Sequence, residues 1–425
     1  MALLVLLISL AVLLCIRVPV AFSLLISSMI TFAFLGLNPL VAVQRLSSGI
    51  DVFTLMAIPF FIFAGDLMTQ TGIAARLIKV AEGLFGRVRG GLGHVNVGAS
   101  MMFGAISGSA VASVSAIGST MIPIMEEKGY DRSFSVNVTC SAAILGLIIP
   151  PSHNMIIYAA ASGSSISIAD LFIAGILPGV LCGVALMIVI SIIARKKGYP
   201  KGLFPGFRAL AKSAVIAIPG LLTAVIIVAG ILGGAFTPTE SSAIAIVYTI
   251  IIGVLFYRSL GLKEFKAAAL NSAKTTALIM LIIGSAAAFG WLLALLEAPL
   301  MMSNLILGLT SSPILILLMV LFCLLVLGTF MDMAPLIIIV TPIFLPVVQT
   351  IGVDPVHFGV IMMLALGIGT ITPPVGTVLF VGSAVGDIRM EDTVKTMWPF
   401  YLALITCLLI ITYVPAISMV LVGYG

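Results

Sequence analysis

The amino-acid sequence predicts an all-α polytopic membrane protein: about ten transmembrane helices plus two re-entrant hairpins, arranged as inverted repeats. Three observations carry that expectation. The chain has 425 residues, 61% hydrophobic and only 8% charged, with a mean hydropathy of +1.32. No soluble core of this length hides that much apolar surface, so lipid must solvate most of it. The apolar residues also fall into runs of bilayer-crossing length. Finally, two adjacent-proline motifs, IIPPS at 148–152 and ITPPV at 371–375, interrupt such runs at a spacing of 223 residues.

The elements follow in chain order. Apolar runs at about 2–16, 19–36 and 53–68 open the chain, and the first has neither a basic region before it nor a cleavage site after it, so it reads as a retained helix rather than a signal peptide. The stretch at about 95–125 is long and interrupted by Gly and Ser, which predicts a hairpin that enters and leaves on one side. A proline-broken helix at 136–160 follows, then crossings at about 171–194, 214–233, 240–257 and 275–296. A second hairpin at 313–347, a second broken helix at 357–385 and a final crossing at 399–422 complete the chain. Residues 1–425 thus form one integral membrane unit, with a first repeat in 1–200 and a second in 201–425.

Charge tests this layout, because Lys and Arg gather in cytoplasmic loops. With the loop carrying Arg195, Lys196, Lys197, Lys201, Arg208 and Lys212 inside, ten crossings place 19 of the 20 basic residues in the cytoplasm and leave Arg45 outside. Both termini then face out. Treating either hairpin as a single crossing would flip everything beyond it. At the constant offset of 223, Pro123 pairs with Pro346, Gly129 with Gly352, Asp131 with Asp354, Pro150 with Pro373 and Pro151 with Pro374. Five crossings separate the copies, an odd number, so the second copy is upside down. Inverted repeats with discontinuous helices are the mark of secondary transporters, whose sites lie where the breaks meet.

Several function classes are excluded. The net charge of +5 is spread singly between apolar runs, with no aromatic-interleaved basic patch, so nucleic acid is not a partner. Five cysteines, Cys15, Cys140, Cys182, Cys323 and Cys407, lie far apart in or near apolar segments and form neither a metal motif nor a disulfide framework. No P-loop, zinc motif or serine elbow occurs, and no organic cofactor is implied. Transport driven by an ion gradient remains; an intramembrane enzyme or a channel are weaker alternatives.

A proline break frees the last carbonyls of one half-helix and the first amides of the next, and the carbonyls suit a cation. The first hairpin carries GAISGSAVASVSAIGST at 104–120, with Ser107, Gly108, Ser109, Ser113 and Ser115, and the first break adds Pro150, Pro151, Ser152 and Asn154. Small-residue helix packing explains the same composition. The second hairpin tip is LGTFMDMAP at 327–335, with Gly328 and Thr329, and its break offers Thr372, Pro373 and Thr377. Ser107, Ser109, Ser152, Thr329 and Thr372 are the expected hydroxyl ligands of an alkali metal ion. Asp332 reads as the only carboxylate near the centre of an intramembrane element, a functional-site candidate by its cost there or else a helix cap. With Ser113 and His153 it forms the expected substrate-binding set. Glu240, just after Thr237 and Thr239, reads as part of a helix cap.

Taken together, GAISGSAVASVSAIGS, the paired PPS and TPPVGT breaks and TPTESSA at 237–243 resemble the large membrane subunit (the M subunit, DctM-like) of tripartite ATP-independent periplasmic (TRAP) transporters. The resemblance covers essentially the whole chain. It implies an elevator-type fold in the bacterial inner membrane, sodium (Na+) as coupling ion, a small membrane subunit of about four helices, and a periplasmic substrate-binding protein that delivers an organic acid. Carried over by motif, Ser107, Ser109, Pro150, Pro151 and Ser152 fall at one sodium site, and Gly328, Thr329, Thr372, Pro373 and Thr377 at the other, with Asp332 close to the substrate. Within the family, the resemblance leans toward the sialic acid (N-acetylneuraminate) branch over the dicarboxylate one. A stand-alone sodium- or proton-coupled dicarboxylate or anion transporter is the alternative.

Overall fold

A computed structural model describes residues 1–163, 166–202, 206–298, 300, 301, 304, 308, 310 and 312–422. Among them the chain is helical throughout, the only extended pairing being an isolated bridge between Arg89 and Lys201. Three helices precede the first repeat unit: α1 (Ala2–Cys15), α2 (Val20–Phe34) and α3 (Pro39–Ile50). Asn38 caps α3 by accepting from Leu40 N at 2.9 Å, with Pro39 at its first position. α4 (Ala57–Gln70) and α5 (Ile73–Phe85) meet at a bend of 72°. Neither α3 nor α5 is expected from the apolar runs. Both are amphipathic, α5 carrying Arg76 and Lys79, and run lengths overlook helices with one polar face.

The first hairpin comprises α6 (Gly91–Ser107) and a returning arm built of α7 (Ala110–Ser113), a π-turn over Val114–Gly118, and α8 (Ser119–Glu127). α9 (Arg132–Ala143) runs through a 3₁₀ turn to Leu147, the chain breaks at the prolines, and α10 (His153–Ala161) resumes. Then come α11 (Ile168–Lys197), α12 (Phe207–Leu232), α13 (Pro238–Ile251) and α14 (Leu262–Leu295). Thr237 and Glu240 close a reciprocal capping box on α13, as the sequence suggests. The second hairpin is α15 (Pro313–Gly328) with α16 (Met333–Thr350), and its broken helix is α17 (Pro355–Thr370) with α18 (Thr377–Val385). α19 (Met390–Lys395), α20 (Trp398–Tyr413) and α21 (Ala416–Met419) end the fold. The long apolar helices α11, α12, α14 and α16 are of crossing length, as is α13 together with the π-turn that continues it to Phe256, whereas α1, at 14 residues, falls short of the roughly 20 that span a bilayer.

The repeat is visible in the boundaries themselves. At the offset of 223 the start of α7 matches that of α16, the end of α8 that of α16, the start of α9 that of α17, and Leu147 matches Thr370 at the last residue before each break. Gly129 and Gly352, which join hairpin to broken helix, adopt matching φ values of +84° and +81° that a side chain would strain. Both Pro–Pro bonds, Pro150–Pro151 and Pro373–Pro374, are cis. Each hairpin's first arm packs on its own broken helix through glycines. A Cβ on Gly104 would lie 2.3 Å from Gly146 Cα, and one on Gly369 would lie 2.5 Å from Gly328 Cα. The second half-helices cross over: α10 packs on α16 of the other hairpin, and α18 packs on α7 and the π-turn.

One large apolar core joins hairpins and broken helices, and a smaller one joins α1, α2, α3 and α14 through Leu6, Leu24, Phe32, Ala42 and Phe289. Outward, large apolar side chains such as Ile188, Ile192 and Phe322 are exposed, as a lipid-facing surface requires. Outside the membrane, the connection after the first hairpin is pinned at Asp131. Its carboxylate takes an ion pair from Lys197 and a 2.7 Å hydrogen bond from the Tyr199 hydroxyl, and these hold it below the usual carboxylate range.

Candidate functional site

The first hairpin tip turns at Gly108, with φ at +61°. α6 ends in Ser107, whose Oγ accepts from Ser109 N at 3.4 Å, and Ser109 caps α7 by accepting from Ala112 N at 3.3 Å. A Cβ on Gly108 would stand 3.2 Å from the Pro151 carbonyl oxygen and 3.1 Å from His153 Nδ1, so only glycine lets the tip seat on the break. At the break, no backbone amide among the described residues donates to the Pro150 or Pro151 carbonyl. The Ser152 hydroxyl is buried with no hydrogen-bond partner.

The second break is tied differently. The amides of Val375 and Gly376 both donate to the Thr329 carbonyl at 3.2 Å, clamping the hairpin tip onto the start of α18. Thr329 and Thr372 turn their hydroxyl protons back on Val326 and Ile368 carbonyls at 2.8 Å, which leaves oxygen lone pairs free but spends the Thr329 carbonyl on the protein itself. Tyr401 donates to the Ile371 carbonyl at 2.6 Å. Thr377 Oγ1 is buried, faces the Asp332 carboxylate, and completes no hydrogen bond of normal geometry.

Both tips converge on one cavity of about 710 Å³. Of the sequence candidates, Ser107, Ser109, His153, Asn154 and Asp332 line it. Asp332 sits at the N-cap position of α16 and lines the cavity, with the Met333 amide and the Thr377 hydroxyl beside its carboxylate. Ser113 does not reach the cavity: it is fully buried with an unpartnered hydroxyl. The cavity face of that arm is set by Val111, Ala112 and Ser115, and successive helical residues are rotated by about 100°, which turns Ser113 inward. Gly108, Pro150, Pro151, Ser152, Gly328, Thr329, Thr372, Pro373 and Thr377 are not among its lining residues.

Asp332, expected as the only carboxylate near the centre of an intramembrane element, shares the cavity with a second acid on the opposite wall. There α4 contributes Asp66, with Thr69 and Gln70, and α14 contributes Asn271 and Thr275. Asn271 donates its amide to Asp66 Oδ2 at 3.0 Å. A signal was present in the sequence, since Asp66, Thr69 and Gln70 form a helical-period polar stripe in an otherwise apolar run. Among the described residues no cluster of His, Cys, Asp and Glu could hold a metal by side chains alone, so a cation here would rely on hydroxyl and carbonyl oxygen.

Comparison with known proteins follows the same lines. The family model described as "Tripartite ATP-independent periplasmic transporter, DctM component" matches residues 7–417. The C4-dicarboxylate TRAP transporter large permease protein DctM of Pseudomonas aeruginosa is 43% identical over 87% of this chain and 86% of its own. The sialic acid TRAP transporter large permease protein SiaM of Vibrio cholerae is 37% identical over 96% of each. In three dimensions the YdaH transporter of Alcanivorax borkumensis superposes with a TM-score of 0.61 at 13% identity, covering 90% of this chain and 88% of that one, a likeness of fold alone.

Proposed function

The chain belongs to the DctM family of tripartite ATP-independent periplasmic transporters, and from that premise we propose that it is the large permease of a sodium-coupled importer of a carboxylated organic acid. It is a multi-pass inner-membrane protein. Its expected partners are a small membrane subunit and a periplasmic binding protein that delivers the substrate. The observation that carries the reading is the convergence of two hairpin tips and the first helix break, from opposite repeats, on one cavity. Sodium coupling is supported by the ligand chemistry: carbonyls at Pro150 and Pro151 that take no backbone amide and the buried, unpartnered Ser152 hydroxyl at the first break, and the Thr377 hydroxyl beside Asp332 at the second, are hard oxygen donors. The two hairpins and broken helices share one core, and α4 and α14 form the facing wall. In our reading the first group slides as an elevator against the second, carrying ion and acid together.

Within the organic acids, N-acetylneuraminate is the finer reading, resting on sequence resemblance. The relatives named for C4-dicarboxylate and for sialic acid match at 43% and 37%, so identity does not rank the two substrates. Reconstitution into liposomes tests the function. Uptake of the acid is expected only with an inward sodium gradient, the small subunit and the loaded binding protein. Uptake by this chain alone would install the stand-alone transporter in its place, and uptake indifferent to sodium would remove the coupling.

A further inference from the structure

The α4–α14 wall has no part in the assignments above, yet it is built to accept hydrogen bonds. The Asn271 amide holds Asp66 Oδ2 at 3.0 Å, which orients both side chains across the helix pair. Thr69, one turn on, spends its proton on the Gly65 carbonyl at 2.9 Å. Both residues line the cavity, and beyond their mutual bond they retain the second carboxylate oxygen of Asp66, the side-chain carbonyl of Asn271 and one Asn271 N–H, so acceptors outnumber donors. The wall also touches the first hairpin tip, because a Cβ on Gly65 would lie 3.3 Å from Ser107 Cα. A molecule seated at the tip therefore lies within reach of Asp66.

The charge inventory sharpens what that molecule is. Asp66 and Asp332 are acidic, His153 is the remaining ionisable group, and no Lys or Arg appears among the described lining residues. A dicarboxylate would have to set its second carboxylate against one of these acids without a cationic side chain to offset it, and like charges in a partly desolvated cavity repel strongly. A substrate with a single carboxylate meets no such conflict. Its carboxylate can lie toward the hairpin side, where the nine-residue α10 begins at His153 with its positive dipole end, and its hydroxyl or amide N–H groups then face Asp66.

We infer that Asp66, oriented by Asn271, is a specificity-determining residue that accepts hydrogen bonds from substrate hydroxyl or amide N–H groups and selects polyhydroxylated monocarboxylates against dicarboxylates. This rests on the organic-acid uptake proposed above. The test uses the membrane assembly of this chain with its small subunit in lipid nanodiscs, without the binding protein, so that only the permease's own selectivity is read. Calorimetry measures sodium-dependent binding of D-gluconate, N-acetylneuraminate and succinate. The wild type is expected to bind at least one of the two hydroxylated acids about tenfold or more tightly than succinate, and the near-isosteric Asp66→Asn to shrink that ratio to about threefold or less. A wild type that binds succinate as well as the others, or an Asp66→Asn that weakens all three acids alike, overturns the assignment. Should Asp66→Asn fail to fold, the wild type still decides: hexanoate, which lacks the hydroxyls of gluconate, must bind markedly more weakly, and equal binding overturns it. Sodium-dependent binding in the wrong order sinks this inference while leaving the uptake reading intact. Absence of sodium-dependent binding of any acid sinks both.

Discussion

Ser152 keeps a hydroxyl buried without a partner at one helix break, and at the other the buried Thr377 hydroxyl has only the Asp332 carboxylate beside it. An unmet buried polar group costs about 1–3 kcal/mol, so a purely structural side chain at either position would be better apolar. A coordinated cation resolves that cost. Ser152→Ala and Thr377→Val should therefore leave sodium-free thermal stability unchanged or raised, while apparent sodium affinity in uptake falls about tenfold. Sodium activation that matches wild type in both variants would return these hydroxyls to packing. At this scale the sequence is legible in part. Ser107, Ser109, His153, Asn154 and Asp332 could be placed at one site because motif and break determine where they sit. Ser113 could not, since a run rich in small residues leaves helical phase undefined and the π-turn at Val114–Gly118 shifts it further. Asp66 carried only the polar stripe it forms with Thr69 and Gln70, and its place at the cavity becomes readable once Asn271, 205 positions away, is seen beside it.

Between elements, contact depends on glycines that no composition count singles out. Gly104 and Gly146 let α6 lie on the end of the first half-helix backbone to backbone, and Gly328 with Gly369 do the same in the second repeat. Gly146→Ala places a methyl 2.5 Å from Gly104 Cα, and backbone cannot give way as a flexible side chain can. The expected loss is about 1–3 kcal/mol, as for other overpacked cores. Gly367→Ala, on α17, meets only the Leu147 side chain at 3.2 Å and should cost clearly less. Thermal unfolding of the two purified variants against wild type checks the order, and an equal or reversed ranking would show that this interface yields. The hairpins and broken helices were readable because Gly, Ser and Pro interrupt apolar runs at fixed places. α3 and α5 were not, because one face of each is polar and leaves no continuous apolar run.

For the whole molecule, two copies of one unit match at boundary after boundary, and the second half-helix of each packs on the hairpin of the other. Such swapping makes the cavity a joint product of both repeats, so its symmetry bears directly on alternating access. The helices give no side to the membrane; that comes from charge, by which the loop of Arg195, Lys196 and Lys197 is expected in the cytoplasm and the two hairpins on opposite faces. Labelling can decide it. Glu127 and Thr350 occupy equivalent, exposed positions at the ends of the returning arms. In a background lacking the exposed Cys15 and Cys323, Glu127→Cys should react with a membrane-impermeant maleimide only in inside-out vesicles, and Thr350→Cys only in right-side-out ones. Reaction of both from one side would make the repeats parallel. The cavity would then lack a symmetry-related pair of entrances, and a single sliding body could not open it alternately to the two faces.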